Sequence, residues 1–215
     1  MIKIGSMVEW NCIEGFGGRA IVVDERESNT SIQSRWKVRM TDGSQPDTWA
    51  LDGELTEVEM TRDDVVRSTA DHIRRVGCYL VQCAAELSKR AVNHDASKWS
   101  EREWPMFAEA TPRLAGLTYG SDEYKASLKS IKPAIDHHNA VNRHHPEHHK
   151  DGVNGMDLLD LVEMLCDWKA AGERHANGSI FKSFDVNRER FKIEPQLESV
   201  LKNTAMSLGW IENPK

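Results

Sequence analysis

The chain has no apolar run approaching the ~20 residues needed to span a bilayer, so a membrane protein of the helical kind is not expected. Its opening, MIKIGSMVEW, has no basic segment ahead of an apolar block, so no signal peptide is expected. Cysteine is scarce: Cys12, Cys78, Cys83 and Cys166 are scattered without metal-type pairing, which excludes a thiolate metal site and suits a reducing cytoplasm. Cys78 and Cys83 fall in an apolar helical stretch and are expected as buried thiols. A basic excess is also missing. The net charge is −6, with 6 Lys+Arg against 11 Asp+Glu in residues 1 to 60 and 22 against 23 in the remainder. Neither part suits a protein that lives on a phosphate backbone, and nucleic-acid binding is not expected. There is no internal repeat and no low-complexity tract. The glycine-rich EGFGG lacks the lysine and following Ser/Thr of a phosphate-binding loop, so it reads as a hairpin turn.

What the chain does contain is unevenly distributed. With 215 residues, 39% hydrophobic and 29% charged, it reads as a soluble globular protein of one large or two small domains. All nine histidines lie between His72 and His175, which sets a boundary near residue 60. Before it, SMVEWN, GRAIVVDE, RWKVRMT, DTWALD and ELTEVE are short, rich in Val, Ile and Trp, and partly alternating, with turn signals EGFGG, ESNTS and TDGSQPD between them. Five such strands predict an SH3-like β-barrel over residues 1–60. Their spacing resembles KOW, Tudor and other SH3-like modules, and the acidity points to docking on a protein or to oligomerisation.

Residues 61–215 read as all-α, giving an α+β protein divided by domain. Thr61 and Asp64 form a capping-box pattern. Val65, Thr69, His72, Val76, Tyr79, Cys83 and Leu87 then recur at steps of three and four, predicting one inward-facing stripe that includes His72. SEREWPMFAEATPRL predicts a helix kinked or ended near Pro105, SDEYKASLKSIKPAIDHHNAVNRHH one or two more, NGMDLLDLVEMLCDWKAAGERH a strong amphipathic helix, and EPQLESVLKNTAMSLGW a last one.

Four groups bear chemistry: His72; the pair His94-Asp95 with Lys98; the cluster His137, His138, His144, His145, His148 and His149; and the helix carrying Asp157, Asp160, Glu163 and Asp167. His138, Asn142 and His145 share a face if their stretch is helical, and so do Asp160, Glu163 and Asp167. Acids beside the apolar stripe of Leu161, Met164 and Leu165 are costly unless paired or metal-bound, and imidazoles with carboxylates are the donors a divalent cation takes.

The order His72, His94-Asp95, Asp167 resembles the HD-domain superfamily of metal-dependent phosphohydrolases. HDASK is similar to that superfamily's HD-x-x-K form. HHNAVNRHHPE followed by LVEMLCDWKAA resembles the later half of its multi-histidine branch, with Ala170 three residues after the final aspartate. HDASK, YGS and HHPE also resemble segments of a group of phage and bacterial HD-like proteins. The resemblance covers roughly residues 62–178. It implies an HD-like helical domain with a divalent metal (Mn, Fe, Co, Ni or Mg, with room for a second ion) on His72, His94, Asp95 and Asp167, Asp160 being the alternative last ligand. It further implies hydrolysis of a nucleotide, either a nucleoside mono- or triphosphate or a cyclic nucleotide. Lys98 would neutralise phosphate charge, and His138 and His145 would bind a second metal or donate to the leaving oxygen. Arg75, Asn142 and Arg143 would hold substrate. The Gly-Tyr-Pro signature of the cyclic-dinucleotide branch is absent. The rival expectation is a non-catalytic interaction protein with an HD-like scaffold and a docking barrel.

Overall fold

A computed structural model describes residues 2–11, 17–25, 36–117, 121–174 and 179–211. ESNTS, Cys12 and the first three residues of EGFGG lie outside the described residues. The chain divides into two compact units, Met1–Gln82 and Cys83–Lys215. The first unit therefore takes in most of the first helix, and ends later than the composition shift near residue 60.

Among the described residues five strands form in the first unit, each where alternation predicts one: β1 (Met7–Asn11), β2 (Gly17–Glu25), β3 (Trp36–Met40), β4 (Thr48–Ala50) and β5 (Leu55–Glu57). They make one antiparallel sheet in the order β4-β3-β2-β1-β5. The register sets Val8 opposite Ala20, Val22 opposite Val38, Trp36 opposite Ala50 and Trp10 opposite Leu55, so one face collects most of the buried residues and the other, Met7 apart, is mainly half-buried. The register shifts between Val22 and Asp24, a bulge that bends β2. In TDGSQPD, Gly43 takes φ 68° and the Asp42 carboxylate accepts from the Ser44 amide, as a turn requires.

Helix α1 runs Arg62–Asn93. Its capping box forms: the Thr61 amide donates to Asp64 Oδ2 at 2.8 Å and the Asp64 amide to Thr61 Oγ1 at 3.3 Å. Arg19 adds a guanidinium on Asp64 and reaches the Glu59 carbonyl. The expected inward stripe is not buried. Val65, Thr69, His72, Val76, Tyr79 and Cys83 are exposed and only Leu87 is half-covered. Cys78 is exposed too, so the two thiols expected in a core lie on the surface. Helical periodicity says that a face is apolar; it does not say that the same chain covers it.

The second unit holds α2 (Trp104–Ala115), α3 (Asp122–Ser130), α4 (Lys132–Val141), α5 (Leu158–Glu173), α6 (Ile180–Phe191) and α7 (Pro195–Ser207). Pro105 opens α2 instead of ending it, because a first-turn proline gives up an amide that has no partner in any case. Met164, Leu165 and Trp168 of α5 pack with Ile180, Phe184, Ile193, Leu201, Ala205 and Ile211 into one core. Among the described residues no helix is long and apolar enough to cross a membrane.

Candidate metal centre

The second unit gathers histidines and acids from four places. The last turn of α1 leads into His94 and Asp95. Asp95 takes φ 56° and ψ 18°, a left-handed turn that aspartate tolerates better than most residues, and a 3-10 turn, Ala96–Trp99, follows. Helix α4 supplies His138. The chain then turns, the His145 amide donating to the Asn142 carbonyl, and presents His144 and His145. Helix α5 supplies Glu163 and Asp167. The expected helical face of His138, Asn142 and His145 is thus not a helix face, since α4 stops at Val141; a turn brings the two ends together.

Three overlapping groups of donor atoms converge, each within 4.8 Å: Asp95, His138, His144 and His145; His94, His144 and Glu163; His94, Asp95 and Asp167. Asp95 Oδ1 lies 3.1 Å from His138 Nε2 and 3.4 Å from His144 Nε2. Glu163 Oε1 lies 2.9 Å from His94 Nδ1 and 3.2 Å from His144 Nδ1. His94 Nε2 faces Asp95 Oδ2 at 3.5 Å and Asp167 Oδ1 at 3.8 Å. Three of these atoms are buried without a hydrogen bond of good geometry: Asp95 Oδ1, whose 3.1 Å approach to His138 Nε2 is not one, His144 Nε2 and His145 Nε2. An orphaned buried acceptor costs about 1–3 kcal/mol. Finding three aimed into one cluster fits a cation, which accepts all of them at once.

Electrostatics follow the packing. His94 is raised to about 9, first by its contact with Asp167 and then, against the cost of burial, by Glu163 and Asp95. Burial pushes His145 down to about 3, helped by the neighbouring His144 and His138. Burial and the charge of His94 also lower His144. Burial opposes the Asp95 charge, but His138 and Lys98 outweigh it and hold the carboxyl far below its ordinary range. Asp167 is likewise lowered, contact with His94 overcoming burial. Charged carboxylates beside the neutral imidazoles of His144 and His145 are the forms that ligate metal, whereas His94 would have to give up a proton to a cation bound there.

A second layer fixes the first. Glu103 is fully buried and accepts from His137 Nδ1 at 2.7 Å, His138 Nδ1 at 3.0 Å and Ser97 Oγ at 3.1 Å. The carboxylate on Nδ1 leaves His138 Nε2 pointing at Asp95, the arrangement by which proteins orient ligating histidines. Asn142 Nδ2 donates to Ser97 Oγ at 2.7 Å. Lys98 donates to Asp95 Oδ2 and lies 5.9 Å from the Phe107 ring centre.

Other expected site residues are not among these converging donor groups. His72 is exposed on α1 and belongs to none of the converging groups among the described residues. Asp160 is fully buried but engaged: it accepts from Arg90 at 2.6 Å, from both Nε and Nη2 of Arg143 at 3.0 and 2.8 Å, and from the Asp157 amide at 3.0 Å. It ties α1, the histidine-rich loop and the start of α5 together, and Asp167 is the aspartate of that helix which meets His94. Arg143 is thereby an ion-pair partner of Asp160 and Asp157. Arg75 pairs with Asp71 within the first unit. His148 and His149 act as pins, bonding the carbonyls of Ala140 and Arg143. Sequence reasoning left out of the site Glu103, His144 and Glu163. Glu163 had a signal in its spacing from Asp167, and His144 in its neighbour; Glu103 had none beyond its charge.

The chain belongs to a family of unknown function, DUF5662, whose model matches residues 61–207. No curated protein and no solved structure matches it.

Proposed function

We propose that the protein is a metal-dependent phosphohydrolase acting on a nucleotide. The observation that carries this reading is the convergence of the unpartnered atoms Asp95 Oδ1, His144 Nε2 and His145 Nε2. In this reading His94, Asp95 and Asp167 hold one divalent cation, and His138, His144 and His145 share Asp95 in holding a second. The first of these sets keeps three of the four positions that the HD resemblance implies, without His72, and the second adds His144 to the expected His138 and His145. With no thiolate among the donors, Mn²⁺, Fe²⁺, Co²⁺, Ni²⁺ or Mg²⁺ suits it better than a structural zinc. A cation bound there supplies Lewis-acid polarisation of a phosphoryl oxygen and acidifies water.

The chain's own residues do the rest. Glu103 and Ser97 hold His138 in orientation, and Lys98 brings a positive charge to meet the phosphate oxygens. Trp99 and Trp104 support a nucleotide over a bare phosphate. They are exposed, with ring centres 4.7 Å apart, and each directly follows a residue bonded to the cluster, Lys98 and Glu103. Such a pair is a stacking surface for a nucleobase. We read the five-stranded sheet as an SH3-like module that docks on a partner protein, and the free thiols Cys78, Cys83 and Cys166 as those of a cytoplasmic protein.

The test is metal analysis of the purified chain, then a screen of nucleoside mono- and triphosphates and cyclic nucleotides with each divalent ion. Phosphate release that vanishes in His94→Ala and Asp95→Asn, with the helical circular dichroism retained, supports the reading. Hydrolysis that survives both substitutions rejects it.

A further inference from the structure

We propose that α1 is a dimerisation helix, pairing antiparallel with α1 of a second copy of this chain. Thr69, Ile73, Val76, Leu80, Cys83 and Leu87 follow one another at steps of 4, 3, 4, 3 and 4, the repeat that keeps a seam on one side of a helix. This seam lies in the open: Ile73 and Leu80 are each 65% exposed, Val76 is 42% exposed, and Thr69 and Cys83 are exposed. A contiguous apolar strip of this kind on a soluble chain marks an interaction surface.

Three features name the occupant. The seam is centred on residue 78, which is also the middle of a helix running Arg62–Asn93, so two copies crossing head to tail overlap along their whole length. In that register Thr69 meets Leu87, Ile73 meets Cys83 and Val76 meets Leu80, each pair formed twice. One border of the seam is small throughout, with Ala70, Gly77 and Ala84, which lets two backbones approach. Nothing within 4 Å would meet a Cβ on Gly77, so no contact inside the chain requires the glycine there, although it weakens the helix. The other border carries His72, Tyr79 and Glu86. Antiparallel pairing sets His72 level with the second copy's Glu86, an imidazole donor beside a carboxylate acceptor, twice over. A parallel pairing would instead face His72 with Gly77 and Glu86 with Ala91 of the second copy, so only the antiparallel one brings the imidazole and the carboxylate together.

The full chain is expected to sediment at twice the mass of one chain over a wide concentration range, and Leu80→Glu at the single mass with unchanged helical circular dichroism. The register is read separately, in case Leu80→Glu does not fold. With Cys12, Cys78 and Cys166 replaced by serine and Cys83 kept, Ile73→Cys is expected to give a covalent dimer under oxidised glutathione. The same protein with Ile73 intact is expected to give none, because antiparallel helices hold the two Cys83 apart. A wild-type chain that stays monomeric overturns the proposal. So does a dimer that links Cys83 to Cys83 but not Ile73→Cys to Cys83. Neither measurement depends on metal or hydrolysis, so the proposal stands or falls apart from the proposed function.

Discussion

At the scale of residues, the histidine-rich segment divides by what each imidazole touches. His138, His144 and His145 turn nitrogen atoms toward Asp95, whereas His148 and His149 spend theirs on backbone carbonyls. His144→Ala is expected to lower Mn²⁺ affinity at least tenfold by calorimetric titration, and His72→Ala to leave it unchanged. Glu103→Gln acts through His138 and is expected to cost about tenfold in the same titration. Asp160→Asn is expected to bind the cation but to melt earlier, by about 3 kcal/mol in denaturant unfolding, because Arg90 keeps a charge whose buried partner is gone. Trp99→Ala is expected to raise KM for a nucleotide several-fold and leave hydrolysis of a small aliphatic phosphoester untouched. Much of this was legible in the sequence. The His94-Asp95 pair and Asp167 stand out by order and company. The choice between Asp167 and Asp160 was not legible, since both share one helix face and only the arginines around Asp160 separate them.

At the scale of elements, strands and most helices are written locally. WKVRM alternates buried and half-buried along β3 as its apolar spacing demands, and LLDLVEMLCDW keeps Met164, Leu165 and Trp168 on the buried side of α5. Helix α6 escaped notice because KSFDVNRER is mostly polar; Ile180 and Phe184, with the half-buried Phe191 against Trp168, anchor it in the core, with Ser179 as its cap. The stripe on α1 was legible as a pattern and misread as burial, because a pattern carries no information about whose surface covers it. Two caps give element-scale tests. Asp157→Ala removes the acceptor for the Asp160 amide and is expected to destabilise by about 1 kcal/mol in chemical unfolding. Asp64 is lowered to about 2, chiefly by its hydrogen bonds with Thr61 and then by Arg19. A depressed carboxyl stabilises the fold above its ordinary value near 4 and loses that contribution as pH falls toward 2. Acid titration of Asp64→Asn is therefore expected to show a smaller stability loss than the wild type across that interval.

At the scale of the molecule, the proposed cation ligands all fall in Cys83–Lys215, while the sheet core belongs wholly to Met1–Gln82. Saturating cation is expected to raise the calorimetric transition of the second unit, by about 2.7 kcal/mol at a hundred times Kd, and to leave that of the sheet in place. A single transition shifting as one would show that the two units unfold together. The division into sheet and helices was readable from composition. The two compact units part at Gln82, inside α1, where a continuous helix shows no break in its sequence pattern.

The left-handed backbone at Asp95 narrows what drift can do to this protein. Few side chains settle there without strain, asparagine among the best of them. Asparagine would keep the bend, the length and the bulk while erasing the negative charge. On the proposed function, a copy of the gene released from selection for cation binding but not for shape would be expected to pass through that exchange early. Asparagine at this one place would then mark a descendant that keeps the fold and has lost the cation.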